Sequence, residues 1–169
     1  MNRITLRTFQ PLARAAHLAA GGSLVGSWAH VPVPFGAAYR AMVDAMGEAG
    51  VSTGGYPPVW AWWGRLRLFD ATALFNPEHE LSTGYATVEF EAPAQLVVPS
   101  DYGVWNDYLD AVFENRVAAT GVGVHRTAVP LDAEKPTQVC LPYVRASWVR
   151  DIRPLPTSGW DDLDPLQPV

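Results

Sequence analysis

Five polar side chains stand where apolar stretches begin or end, positions from which a side chain can reach into a site. Arg7 and Gln10 lie on or just after an alternating N-terminal run. Asp70 follows a tryptophan-rich stretch, Asp101 opens a helical pattern and Gln138 opens a late apolar run. An arginine offers a planar fork of donors suited to phosphate or carboxylate, and a primary amide can donate a hydrogen bond to a ligand. Beside them runs Tyr56-Pro57-Pro58-Val59-Trp60-Ala61-Trp62-Trp63, in a chain that carries seven tryptophans. Indole faces stack on flat rings such as nucleobases. Trp60 and Trp62, with Tyr39 and Trp105 as further rings, are therefore the candidate ligand platforms.

Every one of these residues also has a purely structural reading. Asp101 can strengthen a helix start through the free N–H groups there. Gln138 can satisfy a sheet edge, and Arg7 can pair across a sheet with Glu89 or Glu91. Trp60 and Trp62 fall on one face of a strand, leaving Trp63 on the other, and can simply fill the core. Tyr39 belongs to a stripe with Phe35, Met42 and Met46 whose spacing is that of a buried helix face.

Other chemistries find no support in the sequence. It has no glycine-rich phosphate loop ending in Lys-Ser/Thr, no Gly-x-Ser-x-Gly elbow and no His-Glu-x-x-His. The four histidines, His17, His30, His79 and His125, are scattered, so no metal site is expected. Cys140 is the sole cysteine, which rules out an internal disulfide and fits a reducing compartment; in an apolar run it reads as an inert buried thiol. A net charge of −5 lacks the footprint of a protein that grips nucleic-acid backbone, and Arg145, Arg150 and Arg153 read as a solvated strand edge. No apolar run is long enough to span a membrane, and the Ala15–Trp28 stretch is too broken for a signal peptide. These features predict a cytoplasmic protein with a small-molecule or nucleotide ligand and no membrane partner.

The elements that must position the candidates follow from periodicity. Arg3 to Phe9 alternates and predicts a strand. Pro11 then starts a helix, with Leu12, Ala16 and Ala19 on one face and Gly21–Gly22 at its end. A second helix carries the Phe35–Met46 stripe to Gly50. After the tryptophans and a turn at Gly64, Leu66 to Phe69 reads as a strand closed by Asp70. Tyr85 to Glu91 alternates with Ala86, Val88 and Phe90 inward, and Leu96 to Val98 is a short buried run. Ser100 is placed to cap a helix from Asp101 to about Asn115. Ala118 to Pro136 reads as a long loop. Gln138 to Val144 is a strand with a break at Pro142, which Trp148 to Ile152 continues. The whole predicts an α+β domain over residues 1–154, one mixed, mainly antiparallel sheet with about three helices packed on it. A loose Pro/Asp-rich tail follows over 155–169.

Several fragments in order carry a family resemblance: Leu6-Arg7-Thr8-Phe9-Gln10, Pro58-Val59-Trp60-Ala61-Trp62, Val88-Glu89-Phe90-Glu91-Ala92-Pro93, Pro99-Ser100-Asp101 with Trp105 and Leu109, and Thr137-Gln138. Together they resemble a bacterial family catalogued as domain of unknown function 3841, over about Arg3 to Arg153. That likeness implies a shared fold and no particular activity. The plan of a polar anchor on the first strand, a helix, aromatic platforms and a late Gln-opened strand is in turn similar to ADP-ribosyltransferases. This second resemblance implies NAD as cofactor. Arg7 would hold its diphosphate or ribose, Trp60 or Trp62 would stack on the base, and Gln138 would steady the oxocarbenium-like charge. The rival expectations are a non-catalytic binder of a nucleobase or aromatic ligand, and a protein-interaction subunit.

Overall fold

The computed structural model describes residues 2–115 and 135–169. The loop expected over 118–136 lies, except for its last two residues, outside them. Alternating Arg3–Pro11 forms β1, and Leu12–Ala19 forms α1. Ser23–Val25 is β2, Gly36–Glu48 is α2 and the tryptophan strand Val59–Trp63 is β3. Leu68–Leu74 is α3, Tyr85–Pro93 is β4, Val98–Pro99 is β5 and Tyr102–Phe113 is α4. Thr137–Leu141, Tyr143–Arg145 and Val149–Pro154 are β6, β7 and β8. The fold is α+β. A six-stranded sheet runs β5-β6-β3-β1-β4-β8 and a two-stranded sheet pairs β2 with β7, every pairing antiparallel.

Local chemistry accounts for most boundaries. Gly21 closes α1 at φ 95°: its N–H and that of Gly22 reach back to the Leu18 and His17 carbonyls, the paired bonds of a left-handed C-cap. Gly50 and Val51 close α2 in the same way. Pro142 does break the late strand, and the break moves the chain from one sheet to the other, since β6 pairs with β3 while β7 pairs with β2. The outer strand β8 carries Arg150, Asp151 and Arg153, charges that discourage further edge pairing.

Three expectations are corrected. The segment expected as a strand at Leu66 to Phe69 turns helical instead: Asp70 does not close a strand but sits in the first turn of α3, accepting the Arg67 N–H at 2.6 Å. The run is short, and Leu68 and Ala71 are at helical spacing, so the cap decides. The buried face of α1 is Ala15 and Leu18, not Leu12, Ala16 and Ala19. Finally, the segment after Pro154 is packed rather than loose. Leu155 and Val169 are buried with Leu66, Leu68 and Ala71, and the Leu68 and Phe69 N–H groups donate to the Gln167 and Pro165 carbonyls.

The large sheet separates unlike interiors. On one face, Leu6, Ala61, Val88, Phe90, Val139 and Leu141 pack with Ala15 and Leu18 of α1 and Leu24 and Val144 of the small sheet as one continuous core. On the other, Phe9 packs with α3 and the C-terminal segment, while Cys140 and Val98 pack with Met42, Met46 and Trp105 of α2 and α4. Those two clusters are distinct.

Candidate functional site

Adjacent strands β1 and β3 are in register only at Leu6–Trp63 and Arg7–Trp62. Beyond that, residues 8–11 of β1 continue with β4, and residues 59–61 of β3 continue with β6. The two strands thus part in the middle of the sheet. A cavity of about 360 Å³ occupies the parting, within the range of roughly 300–1,000 Å³ usual for small-molecule sites. Thr8 bridges the gap by donating its hydroxyl to the Trp60 carbonyl at 2.8 Å, and Gln10 in turn donates its amide to Thr8 at 2.9 Å.

The cavity draws its lining from both faces. Thr8, Gln10, Arg14, Gly26 and Val59 contribute from the side of α1, while Phe9, Tyr39, Trp60, Trp62, Tyr102, Trp105 and Gln138 contribute from the side of α2 and α4. Gly26 is required here by close approach. A Cβ on it would lie 1.9 Å from the Pro57 carbonyl oxygen, so only glycine lets the end of β2 press on the Pro57–Pro58 segment that leads into β3.

The aromatic rings form a cage. Trp60 lies against Trp105 with centroids 5.2 Å apart, and Tyr39 meets both edge-on, at 6.1 Å and 5.5 Å. Tyr102 tilts over Trp62 at 5.3 Å. Trp105 is buried, whereas Trp60 and Trp62 are only partly so. The indoles therefore do both things the sequence allowed: they pack, and they leave faces toward the cavity. Burial raises the Tyr39 hydroxyl pKa above the ordinary tyrosine value, with the Trp60 indole opposing it weakly. That indole N–H is buried and makes no hydrogen bond of proper geometry among the described residues.

The candidates of the sequence divide cleanly. Tyr39, Trp60, Trp62, Trp105 and Gln138 line the cavity, and so does Gln10. Gln138 is 6% exposed and accepts from the Ser100 hydroxyl at 3.4 Å. Arg7 stands in the same cross-strand row as Trp62 and Gln138 but is engaged elsewhere. It donates to the Gly64 carbonyl at 2.7 Å and forms an ion pair with Glu89 at 2.6 Å, the pairing its register allows. Asp101, not Ser100, caps α4, accepting the Val104 N–H at 2.9 Å, and Ser100 is thereby freed for Gln138. Asp70 lines a smaller adjoining chamber of about 230 Å³ that shares Trp62, Leu74 and Tyr102 with the main one.

Sequence reasoning passed over Thr8, Tyr102, Asn106 and Arg14, all of which line the cavity; Arg14 is the charged one. It is half-buried on α1 beside Ala15, and burial lowers its pKa from the usual arginine value. Among the described residues no aspartate, glutamate, histidine or cysteine lines the main cavity, and no group of three or more such residues could hold a metal ion. Cys140 is fully buried, and desolvation pushes its thiol pKa well upward, as an inert core cysteine requires. No described helix is long and apolar enough to cross a membrane. Compared with known proteins, the chain matches no family model, no curated protein and no solved structure.

Proposed function

We propose that the cleft where β1 and β3 part is a binding site for a flat, nucleotide-like ligand. The observation that carries this reading is the cage itself: five aromatic rings from three elements around one cavity that also holds two buried amides, Gln10 and Gln138. Stacked rings favour a planar guest, and buried amides fix its edge by hydrogen bonds, since an unpaired buried polar group is costly. Trp62 and Tyr102 stand between the two chambers, so a base stacked there has room on either side.

The lining supports binding more than turnover. General acid–base chemistry needs a group that exchanges protons near neutrality, and the described lining supplies amides, hydroxyls, indoles and a guanidinium. An ADP-ribosyltransferase-like reaction on NAD would rest on Gln138 as an amide donor. Titration of intrinsic tryptophan fluorescence with nucleosides, nucleotides and NAD tests both readings. Binding is expected to change the emission, and Trp62→Ala to weaken affinity about tenfold, the usual value of one stacked base. NAD is expected to remain intact. Nicotinamide release that Gln138→Ala abolishes would replace the binding reading with the transferase one. Silence toward every planar ligand would remove both.

A further inference from the structure

We infer that the ligand of this cleft is an anion and that Arg14 holds its charged end, as a nucleoside phosphate would require. The inference deepens the proposed function and rests on it. Arg7, Arg150 and Arg153 each face a carboxylate, Glu89, Glu91, or Glu89 and Asp151. Arg14 faces none among the described residues. Among the described residues its one hydrogen bond is from Nη2 to the Val25 carbonyl at 2.7 Å, a neutral acceptor that leaves four N–H donors and supplies no counter-charge. A guanidinium taken partly out of water without a counter-charge is unfavourable, and the lowered pKa has burial as its only cause. Residues of this kind persist where a ligand brings the missing charge.

The surroundings agree on both the place and the sign. Among the described residues no carboxylate lines the main chamber to repel an anion, although the chain as a whole carries −5. The smaller chamber has the opposite character, since among the described residues its one charged lining residue is Asp70. A ligand with a ring in the cage and an anionic end therefore has one favourable orientation, charge toward α1. Gln10 lies at the same end, its amide nitrogen committed to Thr8.

Calorimetric titration of the full chain with the four ribonucleosides, their 5′-monophosphates and benzoate decides the matter. The wild type is expected to bind at least one monophosphate about tenfold or more tightly than its nucleoside, as a charge-assisted contact provides. Arg14→Gln keeps a donor for the Val25 carbonyl but removes the charge, and is expected to erase that preference, bringing monophosphate affinity down to that of the nucleoside in the same variant. Arg14→Lys is expected to retain part of it. Equal wild-type affinity for nucleoside and monophosphate would overturn the inference and leave the ring-binding reading standing, whether or not Arg14→Gln folds. Benzoate binding that matches the monophosphates would assign the site to carboxylates instead of phosphates. If none of these ligands binds, the ring-binding reading and this one fall together.

Discussion

The two faces of the large sheet are built from different side chains and to opposite effect. Behind α1 the strands present Leu6, Ala61, Ala86, Val88, Phe90 and Ala92 as a closed surface, each fully buried. Toward α2, α3 and α4 they present Phe9, Trp60, Trp62 and Gln138, and the interior divides into two clusters with a cavity between them. Small and branched side chains interdigitate to interior density, whereas large rings held by separate helices leave space where the helices diverge. One sheet is thus a closed foundation over most of its α1 face and open toward α2 and α4, the cavity reaching through to α1 only where β1 and β3 part. What turns the second face into a cleft is the parting of β1 from β3 after Arg7–Trp62.

That contrast can be broken most severely from the closed side. Phe90→Ala removes a ring from the centre of the continuous core and is expected to destabilise the fold by about 3–5 kcal/mol, read from the denaturant midpoint. A destabilisation as small as that of a surface substitution would show that this face is not the foundation. Next comes the seam of the parting. Gly26→Ala places a methyl group against the Pro57 carbonyl, and is expected to cost about 1–3 kcal/mol and to weaken ligand binding by shifting the entry to β3. Unchanged stability and affinity would mean that β2 does not brace the cleft.

The open side should respond more in binding than in stability. Asp101→Ala removes the cap of α4, whose first turn carries Tyr102 over Trp62, at a cost of about 1 kcal/mol in thermal or chemical unfolding. Tyr102 is expected to loosen and nucleotide affinity to fall by a smaller factor than in Trp62→Ala. The smallest effect belongs to the outer strands. Arg150 donates to Glu91 and holds its carboxyl below the ordinary glutamate value. A depressed folded-state pKa stabilises above the unfolded value and is lost as pH falls through the folded one. Wild type and Glu91→Gln should therefore differ slightly in melting temperature at neutral pH and converge in acid, with the difference shrinking in high salt. A gap that persists in acid would locate the effect elsewhere.

Much of this arrangement was legible from residue order. Period-two runs gave β1 and β4, the Phe35–Met46 stripe gave α2, and Pro142 marked the place where the late strand changes sheets. Local signals of that kind are written in a few adjacent residues, so they survive reading in one dimension. Leu66 to Phe69 failed because a short apolar run suits strand and helix alike, and Asp70 tipped it by capping. Trp60 and Trp62 were visible because tryptophan is rare and their spacing places both on one face of β3, and Gln138 because it opens a late strand.

By itself, the sequence determined an α+β domain, an antiparallel sheet and a set of rings with the chemistry to hold a flat guest. The tertiary structure alone decided which arginine faces the cavity. Arg7 has its charge cancelled by Glu89, a partner distant in the chain and brought adjacent by register, while Arg14 lies on α1, whose buried face is Ala15 and Leu18 and not the expected Leu12, Ala16 and Ala19. Charge compensation and burial depend on neighbours that only folding brings together, and neither is a property of a residue's place in the chain.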